Sequence, residues 1–145
     1  MKKIYIASDH AGFDLKVAVL EHLKAIGVEA EDCGCKSKGS VDYPDYAQTV
    51  AKKVLADKGQ SEAILICGSG IGMDIAANRF NGIRASLIYE KELAVLSRTH
   101  NNANILVMAA RFTPPEKAAE IVDTWLKAEF EGGRHQARVD KMDAV

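Results

Sequence analysis

Cysteine is scarce in this chain, and the little there is forms no framework. Cys33, Cys35 and Cys67 are an odd number with no C-x-x-C pair, which excludes a disulfide scaffold and a zinc ribbon. Proline is equally sparse, with three residues and no low-complexity tract to mark a linker, so residues 1–145 read as one domain. An excess of charge of either sign is also missing. A formal net charge of −1 supplies no broad field for nucleic acid or an anionic membrane, and a small molecule is the partner class that fits. Apolar runs such as Ile105 to Ala110 fall far short of the ~20 residues a membrane span needs. The first residues lack the charged-then-apolar pattern of a signal peptide, so the expected location is the cytoplasm.

What is there is an ordinary core-forming composition, 48% hydrophobic and 27% charged, in which short apolar runs alternate with amphipathic stretches. Lys3 to Ala7, Val28 to Cys33, Ala63 to Ile66, Ala85 to Ile88 and Asn104 to Met108 read as strands, the second polar enough for a sheet edge. Phe13 to Ala25 reads as a helix with Phe13, Val17, Leu20 and Leu23 on its buried face, ended by Gly27. Pro44 opens a second helix, whose inner face is Ala47, Val50, Ala51, Val54 and Leu55 and whose stop is Gly59. Further helices are expected over Asp74 to Asn81, Glu90 to His100 and Arg134 to Met142. Another is expected from Thr113-Pro114-Pro115-Glu116, which has the spacing of a capping box and leads to Ile121, Val122, Trp125 and Leu126. Strand and helix alternate throughout. The implied fold class is α/β, a three-layer α/β/α Rossmann-like domain with a five-stranded parallel sheet.

The chemistry gathers around Ala63 to Asn78, a strand that ends at Cys67 and runs through Gly68, Gly70 and Gly72 into a helix. Alternating glycines let the backbone approach a ligand, and the free N–H groups of the helix start favour an anion beside the thiol. A thiol so placed is expected to ionise more readily than usual. The loop is G-x-G-x-G, not the dinucleotide fingerprint, and no Walker lysine follows. Glu90 lies about 20 residues on, where a dinucleotide domain places its ribose-binding acid, and keeps a nucleotide reading open. Asp9 and His10 follow the first strand and should share a rim with Cys67, as should Arg111 after the fifth. Arg134 and Arg138, at i and i+4, can offer two guanidinium forks to a phosphate. His10 and His100 are candidate acids or bases, whereas His22 and His135 read as ordinary satisfied or surface residues.

With these residues assembled, the sequence closely resembles the family of type B ribose-5-phosphate isomerases, which also contains galactose-6-phosphate and allose-6-phosphate isomerases. The matching motifs are Ser8-Asp9-His10-Ala11-Gly12, Asp42-Tyr43-Pro44-Asp45-Tyr46, Cys67-Gly68-Ser69-Gly70-Ile71-Gly72 with Ile75-Ala76-Ala77-Asn78, Leu96-Ser97-Arg98 through His100-Asn101, and Gly132-Gly133-Arg134-His135 with Arg138. The resemblance implies an aldose–ketose isomerisation through an enediolate, with neither cofactor nor metal. It implies Cys67 as base, His100 as ring-opening acid/base, and Ser69 with the N–H groups of Gly68, Gly70, Ile71 and Gly72 around the oxyanion. Asp9, His10, Tyr43, Asn101, Arg111, Arg134 and Arg138 are the implied contacts to the sugar phosphate. One branch of the family has a glutamate after the glycine loop and lacks the cysteine; Met73 stands there, placing the chain in the cysteine branch. Ser69 replaces a frequent threonine, and Asp74 a frequent serine.

His100 ends a crossover helix before the fifth strand, so it should lie on the rim opposite Cys67, roughly 16 Å away along an eleven-residue helix. Either that helix is displaced, or His100 serves the Cys67 of a second copy. The expectation is a symmetric homodimer with composite sites, alone or as a dimer of dimers, acting on a five-carbon or, alternatively, a six-carbon sugar phosphate. From other classes, a nucleotide-binding regulatory domain and a non-catalytic scaffold remain.

Overall fold

In the computed structural model, which describes residues 1–145, five parallel strands alternate with helices along the chain, and a sixth helix follows the fifth. They are β1 (Lys3–Ser8), α1 (Phe13–Ala25), β2 (Ala30–Asp32), α2 (Tyr43–Ala56), β3 (Ser61–Cys67), α3 (Ile71–Ala77), β4 (Ala85–Leu87), α4 (Lys91–Thr99), β5 (Ile105–Ala109), α5 (Pro115–Lys127) and α6 (Arg134–Asp143). The strand order is β2-β1-β3-β5-β4, so the expected three-layer architecture is the one observed, with the polar second strand at an edge. From β1 the chain first builds outward to β2 and then returns to build the other half from β3. The crevice between the carboxyl ends of β1 and β3 is therefore the topological switch point, where such sheets hold ligands.

Strand side chains alternate between two cores because a pleated strand turns successive residues to opposite faces. Ile4, Ile6, Ile64, Ile66, Leu106 and Met108 meet Leu15 and Val19 of α1 and Ile121, Val122 and Trp125 of α5. Tyr5, Ala7, Ala63, Leu65, Ile105 and Val107 meet Val50 and Val54 of α2 and Met73 of α3. Across the middle of the sheet, Ser8 pairs with Ile66 and Cys67 with Ala109. These pairings bring β1, β3 and β5 to a common upper rim.

Three local expectations need correction. The inner face of α1 is Leu15, Lys16, Val19 and Leu23, and Val17 is 38% exposed. Periodicity alone favoured Phe13, Val17 and Leu20 because it discounts a lysine, and Lys16 is wholly buried. Helix α3 begins at Ile71, three residues early, since Gly70 at φ +75 turns the chain straight into it. The capping box before α5 is not formed: Pro114 is the N-cap, no side chain caps the helix, and the buried Thr113 hydroxyl has no partner. Proline at the cap fixes an extended entry that removes Thr113 from the helix end.

Candidate active site

Beyond the upper rim, an open cleft of about 420 Å³ is lined by Asp9, His10, Tyr43, Cys67, Ser69 and Arg111, among others. Asp9 is fixed at both ends: its N–H donates to the Ile66 carbonyl at 3.2 Å, and its Oδ1 accepts the Gly12 N–H at 3.0 Å. A Cβ on Gly12 would lie 2.8 Å from the Ile66 carbonyl oxygen, so this loop lies against β3 as only glycine permits. His10 accepts the Val41 N–H on Nδ1 at 3.2 Å, which leaves its ring proton on Nε2.

Cys67, the last residue of β3, is 5% exposed and opens onto the cleft. The glycine loop lies against β4 and β5 at Gly70, where a side chain would meet Leu87 at 2.4 Å and the Met108 carbonyl at 3.2 Å. The Ser69 hydroxyl oxygen accepts the Ile71 N–H at 3.3 Å and keeps its own proton free to donate. The Arg111 N–H donates to the Gly68 carbonyl, and its guanidinium lies 3.2 Å from the Cβ position of Gly68. The Tyr43 ring packs over Gly72 in the same way, 2.5 Å from the Cβ position. Thiol, hydroxyl, imidazole, carboxylate and guanidinium thus converge on one space. In α3, Asp74 is half-buried with Oδ1 unpartnered, and burial pushes its carboxyl up from 3.8 to about 6.

His100, Asn101, Arg134 and Arg138 are not in this cleft. His100 caps the C-terminal end of α4, on the side where β5 begins, and β5 pairs with β3 from Ala63 onward. Four residues of β3 separate that level from Cys67, about 13 Å of strand. Asn101 lines a separate groove with Asn78, Arg84 and Asp143. Helix α6 is tied to the same end by the Arg84–Asp143 ion pair at 2.9 Å, and the segment leading into it by the Glu131 N–H donating to the Thr99 carbonyl at 3.1 Å. The expectation that His100 and Cys67 lie on opposite rims of one chain therefore holds.

Sequence reasoning read His135 as an ordinary satisfied or surface residue and did not single out Glu131. The His135 ring is stacked on that of His100, centroids 4.2 Å apart and planes within 16°. Burial first, then the neighbouring His100 and Arg134 charges, hold His135 below its ordinary value. Glu131 Oε1 lies 3.9 Å from His100 Nε2 and 3.6 Å from His135 Nε2. These three could be taken for a metal site, since their ligand atoms fall within 4.8 Å of one another. The stacking argues against it: an ion must lie in the plane of each imidazole it binds, and two near-parallel planes share no such point. The i, i+4 spacing of Glu131 and His135 was the available signal. His22 is satisfied, as expected, by Asp123 at 2.7 Å.

The profile of the family described as Ribose/Galactose Isomerase matches residues 4–142. The chain belongs to that family. It is 48% identical over 145 residues to ribose-5-phosphate isomerase B of Escherichia coli, covering all of this chain and 97% of that one. Among solved structures of ribose/galactose isomerases, the ribose 5-phosphate isomerase of Thermotoga maritima is 51% identical, with a TM-score of 0.96 and 99% of each chain covered. The Mycoplasma genitalium ribose-5-phosphate isomerase B with bound ribulose-5-phosphate is 44% identical, with a TM-score of 0.94, covering 98% of this chain and 94% of that one. No helix of this family member is long and apolar enough to cross a membrane.

Proposed function

We propose that this protein interconverts ribose 5-phosphate and ribulose 5-phosphate in the cytoplasm, as a symmetric homodimer whose two sites each combine the upper rim of one subunit with the lower rim of the other. The observation that carries this reading is the division of the site residues. One rim of the fold holds a thiol among hydrogen-bond donors, and the other holds a half-buried histidine with two arginines on α6. Each set lacks what the other has. The 48% identity to a ribose-5-phosphate isomerase B supports the choice of substrate.

His100 of the partner subunit moves the proton that opens the furanose, and Arg134 and Arg138 of the partner subunit hold the phosphate. The Cys67 thiolate removes the proton from C2 of the open aldose, the C–H electron pair becomes the C1–C2 double bond, and O1 gains a proton. Returning the proton from sulfur to C1, with loss of the O2 proton, gives the ketose. Charge develops on the two oxygens of the enediolate, and the Ser69 hydroxyl with the N–H groups of Gly68, Gly70 and Gly72 are the donors that would stabilise it, the Ile71 N–H being taken by the Ser69 hydroxyl oxygen. One such donor is typically worth about 3 kcal/mol in the transition state. Asp9 and the Nε2–H of His10 bind sugar hydroxyls, Tyr43 walls the cleft over Gly72, and Arg111 of the same chain completes the contacts with Asn101 of the partner subunit.

The test is a comparison of rates on ribose 5-phosphate, allose 6-phosphate and galactose 6-phosphate. Wild type should favour the pentose, and Cys67→Ser should lower that rate about 10²–10⁴-fold, the usual contribution of a positioned base. Failure of wild type to convert any of the three would sink the proposal, and a preference for a six-carbon sugar would move it within the family.

A further inference from the structure

Lys16 is wholly buried, an uncommon state for a lysine and one that needs partners for each donor. Its Nζ donates to Asp32 Oδ1 at 2.7 Å and to the Cys35 carbonyl at 2.5 Å, and it lies 5.2 Å from the centroid of the Phe13 ring. The same Asp32 oxygen accepts the Gly34 N–H at 2.9 Å. One ammonium therefore gathers the last residue of β2 and Cys35, and through Asp32 also Gly34. That segment is also stitched to the end of β1: Ser8 N–H donates to the Gly34 carbonyl at 2.8 Å, and Cys35 N–H donates to the Ser8 carbonyl at 3.0 Å. Beyond Cys35 the chain leads on to α2, and on the way the Val41 N–H meets His10 Nδ1.

We infer that Lys16 is a positioning residue for the reaction: by clamping Asp32 and Cys35 it fixes the departure of the 36–42 loop, whose Val41 N–H holds His10 in the Nε2–H tautomer. A neutral imidazole has one donor and one acceptor, and the hydrogen bond at one nitrogen decides what the other can do. With Nδ1 occupied by a backbone donor, Nε2 has to donate, which suits a sugar or phosphate oxygen. If the loop shifts, Nδ1 loses its partner and the ring can present an acceptor to an oxygen that accepts. A buried charge is well suited to this task because moving it away from its two acceptors leaves the buried ammonium and the Cys35 carbonyl unsatisfied, which favours one position of the loop.

The role of His10 in this inference rests on the isomerase reading, whereas the tautomer itself can be read without any substrate. The experiment is ¹⁵N NMR of the His10 ring together with steady-state kinetics on ribose 5-phosphate, for wild type, Lys16→Met and Asp32→Asn. Wild type should show a single Nε2–H tautomer. Lys16→Met, which keeps the length of the side chain and removes the donors, should show mixed tautomers and a KM raised about tenfold with kcat changed less than threefold. A merely destabilised protein would lose active fraction, and hence kcat, while leaving KM unchanged. A folded Lys16→Met with the wild-type tautomer and KM overturns the inference. Should Lys16→Met fail to fold, Asp32→Asn carries the test, since its side chain reaches solvent and keeps its shape. It should raise KM about threefold with the same change in the ring, and an unchanged ring and KM would overturn the inference. If wild type has no isomerase activity the proposed function fails, and the ring nitrogens still decide whether Lys16 sets the tautomer.

Discussion

Replacing Asp74 with asparagine should stabilise the protein at neutral pH and leave it unchanged in acid. Asp74 sits in the first turn of α3, half-buried, with Oδ1 cut off from water and from any donor, and burial raises its carboxyl from 3.8 to about 6. A helix N-terminus ordinarily favours an ionised acid, so the upward direction means that desolvation outweighs the dipole here. A raised carboxyl has a definite sign in the stability curve. Below about pH 4 the group is protonated both folded and unfolded and costs nothing. Between about pH 4 and 6 the unfolded chain releases the proton while the folded chain keeps it, so folding becomes progressively less favourable, and above that window the loss is complete. For a group sealed from water this rise would correspond to roughly 3 kcal/mol, and partial access to solvent brings it to about 1–2 kcal/mol. Asparagine has the same shape and no charge to desolvate. Thermal melts at fixed protein concentration should show Asp74→Asn melting about 2–6 °C above wild type at pH 7.5 and level with it at pH 3.5. An equal difference at both pH values, or none at either, would refute the electrostatic account.

Other outcomes follow from the same geometry. Gly70→Ala combines a left-handed φ of +75 with a Cβ 2.4 Å from Leu87, so it should cost about 2–4 kcal/mol in denaturant unfolding and lower isomerase activity by displacing the glycine loop. Glu62 and Arg98 form a nearly buried ion pair, 7% and 13% exposed, with the Arg98 guanidinium 4.1 Å from the Trp125 ring centroid. Glu62→Gln should therefore destabilise by about 3 kcal/mol in the same assay. Mixing inactive Cys67→Ala and His100→Ala chains should restore activity in the heterodimer, where one composite site is intact. Heterodimers verified by mass spectrometry that stay inactive would rule out shared sites.

The elements were legible in the sequence wherever a short-range pattern decides structure. The apolar runs at Ala63–Ile66 and Asn104–Met108 are central strands, and the polar Val28–Cys33 stretch lies at the edge, because burial on two faces demands continuous hydrophobicity and an edge does not. The upper half of the site was legible for a related reason: Asp9, His10 and Arg111 follow a parallel strand, Cys67 ends one, and parallel strands end on one rim. Periodicity failed where a charge was buried. Lys16 belongs to the inner face of α1, and no scale of hydrophobicity would put a lysine there before Asp32 and the Cys35 carbonyl are known to await it.

By itself, then, the sequence determined the strand and helix order, the glycine loop after Cys67 and the family, since each depends on residues close together along the chain or on ordered motifs. The tertiary structure decided what depends on residues far apart. It placed His135 over His100, turned Nδ1 of His10 toward Val41, opened the Thr113 cap and stranded the Asp74 carboxylate. It also set Cys67 and His100 at opposite ends of a sheet whose register no local pattern encodes. The physical reason is common to all of these. A hydrogen bond or a desolvated charge depends on a distance of a few ångströms, and that distance is fixed only when the elements have packed.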